Sequence, residues 1–501
     1  MNMQRFYLYL NMTKPGEKLI LSYSDTNAKG EGISPAYLIG SIRSLYPKLE
    51  IEGGAGVRPH KNSINNYCYP ENPEAGIDLF LEKLVQETEK EHEDILEQAD
   101  ETDAMFGELY SWYLRNPEYR SRVQKLVQSA FAGKPEDIIS QSVAKALYGE
   151  VSPYSATRLE RFAACAFAHF LQYGMKLTER VEYEFKPMDM GNVMHEALES
   201  FAEEVRKRGM KWTELTEQER NEIADRCLDN IVADYGNTVL KSSARNEYMI
   251  ERTRRILRRT VWALQKQLEQ GEFQPEGFEV TFGGGRIDRV DIMEDQNKVY
   301  VKVIDYKTGN TSFDLVYLYH GLQLQLMIYL DGALRVEQKK YPDKEIIPAG
   351  VFYYNIKDPM IQEKIDADVE AVSAGLMKEL KMNGLAQADP ELVYRMDSSL
   401  GSIPVAFNKD GSFRKNSSVA DRTQFAVLGR YVRTKIEKIR SSILEGDAEV
   451  SPYELGKKNA CTYCPYMTVC GFDRRLSGYE FRRLKNFSDE ELWKAFDREA
   501  E

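Results

Sequence analysis

No run of 18 or more apolar residues occurs in the 501-residue chain, and its first residues lack the apolar stretch of a signal peptide. Both absences lead to the expectation of a soluble, cytoplasmic protein with no membrane span. A G-x4-G-K-[ST] sequence is also missing. Without that glycine-rich cradle for nucleotide phosphates, the chain by itself is not expected to hydrolyse ATP. Positive charge is in short supply, 67 Lys and Arg against 79 Asp and Glu, for a net charge of −12. DNA affinity comes largely from cationic contacts with phosphates, so a uniform surface of this charge would repel DNA. Distribution matters more than the total. The segment 252–260, RTRRILRRT, sets Arg252, Arg254, Arg255, Arg258 and Arg259 at helical spacings. It forms either a broad basic face or a solvated helix paired with local glutamates.

Cysteine is scarce, with six in all, yet three of them fall in Cys461-x2-Cys464-x5-Cys470. Closely spaced thiolates in a chain without a signal peptide read as metal ligands and not as disulfides. Three ligands leave one place in a four-sulfur site, open to Cys68, Cys165 or Cys227. Spacing alone does not separate zinc from iron–sulfur.

In residues 298–306, Val299, Val301, Val303 and Asp305 alternate with Tyr300, Lys302, Ile304 and Tyr306, the period-2 signature of a strand. Lys307 therefore shares a face with Asp305, about 6.6 Å along the strand. A second acidic segment, G-R-I-D-R-V-D at 285–291, stands about one hairpin upstream. These residue types suit metal-assisted phosphodiester hydrolysis. Asp288 and Asp305 offer hard oxygen ligands for Mg2+ or Mn2+, with the Tyr306 carbonyl as a third. The Lys307 ammonium supplies charge for the transition state or orients a water. Glu279, in the strand-like segment 278–282, reads as a solvated edge residue in preference to a further acid beside the metal. Gln325 and Tyr329, four apart, share a face if helical.

A hydrophobic content of 42% is enough for large cores in two or more domains. Residues 5–10, 13–18, 19–24 and 34–39 read as strand, turn, strand and helix. A helical stretch over 191–271 leads into strands over 278–282, 286–293 and 299–306, then a helix over 320–334 and a strand over 349–356. Strands with flanking helices around a mixed central sheet give an α/β class.

Taken in order, His195 in an acidic helix, Asp288 in G-R-I-D-R-V-D, Asp305 with Lys307 in D-Y-K-T-G, and Gln325 with Tyr329 in Q-L-M-I-Y resemble the RecB-type nucleases of the PD-(D/E)xK superfamily. The resemblance implies that His195, Asp288 and Asp305 bind metal, that Lys307 is catalytic, and that Gln325 and Tyr329 approach the active site. An imidazole ligand fits Mn2+ better than Mg2+, so manganese is expected to be tolerated or preferred. The segment 155–165, S-A-T-R-L-E-R-F-A-A-C, continuing through His169 to Tyr173, looks like the opening of the nuclease domain of the AddB family, subunits of the bacterial AddAB helicase–nucleases. On that resemblance Cys165 joins Cys461, Cys464 and Cys470 around a [4Fe-4S] cluster, while Cys68 and Cys227 are buried small hydrophobes. Thr13-Lys14-Pro15 stands where a superfamily 1 helicase core carries an arginine motif. Residues 1–150 thus resemble a helicase-like tail with connecting helices and 151–501 a nuclease domain, together the C-terminal part of such a protein. The implied role is a Mg2+- or Mn2+-dependent deoxyribonuclease acting on single-stranded or duplex DNA ends at double-strand breaks. It would cut the 5'-terminated strand for recombinational repair, with an AddA motor as partner. A stand-alone Cas4-like nuclease is disfavoured by the helicase-like first 50 residues, and an idle DNA-binding scaffold by the intact Asp288, Asp305 and Lys307.

Overall fold

The structure is a computed structural model that describes residues 2–23, 37–49, 72–89, 101–130, 138–149, 155–178, 187–234, 243–283, 285–361, 368–476 and 478–500. The chain divides into two compact units, Met1–Phe131 and Ala132–Glu501.

In the first unit, helices Pro73–Glu89, Glu101–Arg115 and Pro117–Ala130 pack around Ile77, Phe80, Leu84, Tyr113 and Val123. Only Asn116 separates the last two helices. Its side chain accepts from Glu118 N at 3.1 Å, and Pro117, with φ preset and no N–H to satisfy, starts the next helix. Segment 5–10 is not a strand but part of helix Asn2–Thr13. Phe6-Tyr7-Leu8-Tyr9-Leu10 is apolar at every position, so β propensity without alternation carried that expectation. A strand needs a neighbour for its backbone groups, whereas a helix satisfies them internally. Residues 19–23 carry no regular structure, and the helix expected over 34–39 runs Tyr37–Leu45. Ser24 and residues 34–36 lie outside the described residues, as does Cys68.

The second unit is built on a mixed six-stranded sheet: β1 (Gln274–Phe282), β2 (Gly285–Asp295), β3 (Lys298–Lys307), β4 (Glu345–Asn355), β5 (Asn383–Gln387) and β6 (Val419–Ala420), in that spatial order. The first three form an antiparallel meander. β4 runs parallel to β3, β5 antiparallel to β4, and β6 parallel to β5. The alternation read in β3 is present. Val299, Val301 and Val303 enter one core with helices α1 (Ala156–Ala164), α5 (Gln325–Lys340) and α6 (Arg422–Glu445). Ile304 and Tyr306 enter the other, with α2 (Pro187–Lys207), α3 (Glu217–Asp234) and α4 (Ala244–Glu269). This is the α/β architecture that the sequence predicts, with helices on both faces of the sheet.

Helix α5 lies on the crossover between β3 and β4. It packs close to β1 because residue 332 is glycine: a Cβ there would fall 2.6 Å from the Phe282 ring. The helix expected from residue 320 begins only at Gln325, since Gly321, at φ +78°, follows the short helix Leu315–Tyr319 and redirects the chain. Near the C-terminus, Tyr453–Leu455 pairs with Lys458–Asn459 and Arg482–Arg483 in a small sheet. Among the described residues no helix is long and apolar enough to cross a membrane.

Candidate metal centre and cysteine pocket

Three elements of the second unit bring one imidazole and two carboxylates together. His195 comes from α2, Glu279 from β1 and Asp288 from β2, and their ligand atoms lie within 4.8 Å of one another. His195 Nδ1 is 3.4 Å from Asp288 Oδ2 and 3.8 Å from Glu279 Oε1. Asp288 Oδ2 also accepts the Tyr306 amide at 2.7 Å, which locks the β2 carboxylate to β3. Glu279 is therefore no solvated edge residue. Its side chain is 7% exposed, and its second oxygen pairs with the exposed Arg286. The strand reading placed it wrongly because its backbone is left-handed, φ +50°. Glu279 drops out of the β1–β2 register, which passes from Phe278 to Val280. A non-glycine residue in this region is strained, and such strain concentrates at functional sites.

Asp305 sits at the end of β3, 1% exposed, with Lys307 Nζ 2.6 Å from its Oδ2. The ammonium approaches off the hydrogen-bonding direction, leaving Oδ2 buried without a hydrogen-bond donor. Lys307 donates instead to Gln325 Oε1 at 2.7 Å, and Gln325 Nε2 donates to Tyr329 Oη at 2.8 Å. Gln325 and Tyr329 thus share a face of α5, as their spacing predicts. The Tyr353 ring lies 5.4 Å from Lys307 Nζ. Sequence reasoning did not single out Glu160 on α1. Its Oε1 accepts from Leu324 N at 2.7 Å and Gln325 N at 3.0 Å.

The electrostatics are those of a site short of positive charge. Burial and the Asp288 charge push the Asp305 carboxyl up to about 7, against the pull of Lys307. Burial opposes a charge on His195, but hydrogen bonds to Asp288 and Glu279 and the nearby carboxylate charges outweigh it and raise the imidazole to about 10. Both shifts have one cause, carboxylate charge crowded into a buried site, and a bound cation would relieve it. A buried oxygen without a donor, hard carboxylates and one imidazole form a donor set that fits a divalent cation.

The other sequence-predicted ligands converge elsewhere in the same unit. Cys165, Cys461, Cys464 and Cys470 line one pocket with Phe167, Tyr466 and Phe472. None of the four is in a disulfide. Burial and the charges of the other three push the Cys461 thiol up to about 12. Burial also raises Cys165, opposed by hydrogen bonds from the Ala168, Ser451 and Phe167 amides. Asn459 Oδ1 accepts from Cys461 N and Thr462 N, each at 3.0 Å, and so shapes the turn that presents Cys461. Phe472 N points at Cys470 Sγ, 3.5 Å away. Cys227 is buried in the core on α3.

Three of the five arginines of 252–260 are held in ion pairs. On α4, Arg254 bonds Asp229 (2.7 Å), Arg258 bonds Asp225 (2.8 Å) and Arg255 bonds Asp358 (2.6 Å). The partners are mostly aspartates of α3 and not the local glutamates, although Arg254 also reaches Glu251 at 3.3 Å.

A mixed sheet that holds a cation-sized set of carboxylates beside a lysine two residues beyond an aspartate defines a metal-dependent nuclease class. The PD-(D/E)XK nuclease superfamily model matches residues 153–471, and the chain belongs to that superfamily, whose nucleases use divalent metal ions. Among curated proteins, it is 39% identical to the B-type subunit of the ATP-dependent helicase/deoxyribonuclease of Lachnoclostridium phytofermentans, over 99% of this chain and 43% of the relative. The equivalent proteins of the same name from Alkaliphilus metalliredigens and Clostridium novyi are each 32% identical over 99% of this chain, and over 44% and 45% of their own lengths. The chain thus spans less than half the length of the curated relatives it matches.

Proposed function

We propose that this chain is the nuclease-bearing part of a helicase/deoxyribonuclease subunit, cutting DNA ends with a divalent cation. The observation that carries the reading is the convergence of His195, Glu279 and Asp288 beside the Asp305–Lys307 pair, within the span that matches the superfamily. His195, Glu279, Asp288 and Asp305 would hold the cation, with the Tyr306 carbonyl as a further oxygen. Bound there, a divalent cation neutralises phosphate charge and polarises the attacking water.

The chain's own groups do the rest. Lys307 Nζ, held by Gln325 Oε1, presents N–H donors beside Asp305, where they stabilise negative charge developing on the phosphate. Tyr329 Oη fixes the Gln325 amide so that its oxygen faces the ammonium. Arg286, 63% exposed next to Glu279, meets a phosphate at the rim. Residues 151–501 form the nuclease domain and 1–150 the helicase-like tail. ATP-driven unwinding comes from a partner motor protein of the AddA kind, and the strand cut is the 5'-terminated one.

The four-cysteine pocket is proposed to hold a [4Fe-4S] cluster. Four free cysteines lining one pocket supply the four thiolates that such a cluster takes. The deciding assay incubates the purified chain with labelled single-stranded and duplex DNA, Mg2+ or Mn2+, and no ATP. Cation-dependent cleavage that disappears in Asp305→Ala is expected, and cleavage by that variant at the parental rate sinks the reading.

A further inference from the structure

Helix α5 carries Gln325 and Tyr329 at its start, yet nothing in its own sequence caps it. The residue before it, Leu324, has no side chain able to accept a hydrogen bond, and its backbone is already helical (φ −86°, ψ −21°). The first amides of a helix have no internal partner and favour a negative charge. Here one carboxylate oxygen, Glu160 Oε1, accepts from both Leu324 N (2.7 Å) and Gln325 N (3.0 Å) across 164 and 165 positions of sequence. Glu160 sits on α1, which is capped by Ser155 at one end and ends at Cys165 at the other. Leu159 beside it is buried in the core that α5 shares.

From there the chain of contacts is short. Gln325 uses its backbone on Glu160, its Oε1 on Lys307 Nζ (2.7 Å) and its Nε2 on Tyr329 Oη (2.8 Å). Lys307 is pulled the other way by Asp305, 2.6 Å from the ammonium. Gln325 Oε1 and Asp305 are thus the two contacts that fix the ammonium, and losing the first leaves its direction set by the carboxylate alone. We propose that Glu160 is a positioning residue: it pins the start of α5 to α1 and thereby sets Gln325 to aim the Lys307 ammonium. The proposal rests on the nuclease reading of the Lys307 site. It adds a control point on the helix that leads into the cysteine pocket.

The test compares Glu160→Ala, Glu160→Gln and Glu160→Asp in the full chain. Cleavage is measured at saturating Mn2+, and the side-chain amide NMR signal of Gln325 is identified by its loss in Gln325→Ala. Glu160→Ala is expected to lower kcat about 10-fold at unchanged KM for DNA, since small misplacements of a catalytic group cost one to two orders of magnitude. Glu160→Gln keeps an oxygen that accepts both amides and should stay within about twofold of parental. Glu160→Asp, one methylene short, should fall between, and it replaces Glu160→Ala if that variant fails to fold. The Gln325 signal should shift in the Ala variant and return in the Gln variant. Adding Glu160→Ala to Gln325→Ala should cost little more than Gln325→Ala alone, because both act on one contact. Parental kcat in Glu160→Ala and Glu160→Asp, equal damage from Ala and Gln, or independent multiplication of the two losses each overturns the proposal. If Asp305→Ala cleaves like the parent, the nuclease reading has failed, and the Gln325 signal still decides the role of Glu160.

Discussion

Strand β3 carries an ionic cluster at its end and another in its middle, and they differ in what is left over. In the middle, Asp291 of β2 is fully buried with both oxygens met: Arg289 at 2.6 and 2.9 Å and Lys302 at 2.9 Å. Burial would raise its carboxyl, but the two cations hold it below the usual range. At the end, Asp305 is equally buried, faces Asp288, keeps an oxygen without a donor and is pushed up to about 7. Two aspartates on neighbouring strands are thus driven in opposite directions. The closed cluster has more cations than carboxylates, and both oxygens of its carboxylate are taken, although Arg289 Nη1 has no hydrogen-bond partner. The open one sets Glu279, Asp288 and Asp305 close together around His195. Saturation of the carboxylate separates these two clusters more sharply than burial does.

The largest expected break in this comparison is Asp305→Ala, with DNA cleavage falling about 10³-fold, or about 4 kcal/mol of transition-state stabilisation. Its unfolding midpoint in urea should be no lower than the parent's, because a buried, incompletely partnered carboxyl has been removed. A midpoint well below the parent's would make Asp305 a structural residue. Asp291→Ala should do the reverse. Stranding Arg289 and Lys302 without their counter-charge should cost about 3 kcal/mol of stability, with cleavage per folded molecule unchanged. Specific activity lost in step with Asp305→Ala would erase the distinction.

A third buried group extends the contrast to pH. His169, 0% exposed, accepts from Arg158 Nε at 3.1 Å, and burial together with the Arg158 charge lowers its pKa to about 3. The folded value lies below the unfolded one of about 6.5, so this stability is complete above about 6.5 and is lost as pH falls toward 3. Between pH 8 and pH 5 the parent should lose about 2 kcal/mol more than His169→Gln does. Equal losses in chemical denaturation would show that the imidazole is not held neutral. The smallest effect is expected for Glu279→Gln, about a 10-fold loss of cleavage that higher Mn2+ partly restores, as for His195→Ala. A loss that no cation concentration reverses would remove Glu279 from the ligand set.

Much of the centre was legible because its signals are local. The alternation of β3 fixes the face shared by Asp305 and Lys307, the four-residue spacing of Gln325 and Tyr329 fixes theirs, and close cysteine spacing marks a ligand loop. Local signals failed where no period existed, as in the uniformly apolar residues 5–10. They also failed where the backbone left its period, as at Glu279 with φ +50°. The sequence left two readings open for the α4 arginines, because most partners of Arg254, Arg255 and Arg258 lie on α3 and beyond β4, where no helical spacing reveals them.

By itself, then, the sequence determined the α/β class, the order of the strands that carry the acids, and the residue types able to hold a cation or a cluster. Only the tertiary structure decided which carboxylate meets which imidazole, that Glu279 turns inward, and that Glu160 caps a helix 164 positions away. The physical reason is range. Strand and helix periods arise from backbone geometry within a few residues, whereas a ligand set or a borrowed helix cap is a distance between elements. Those distances are set by how two apolar faces of one sheet are buried, and no local window of the chain contains them.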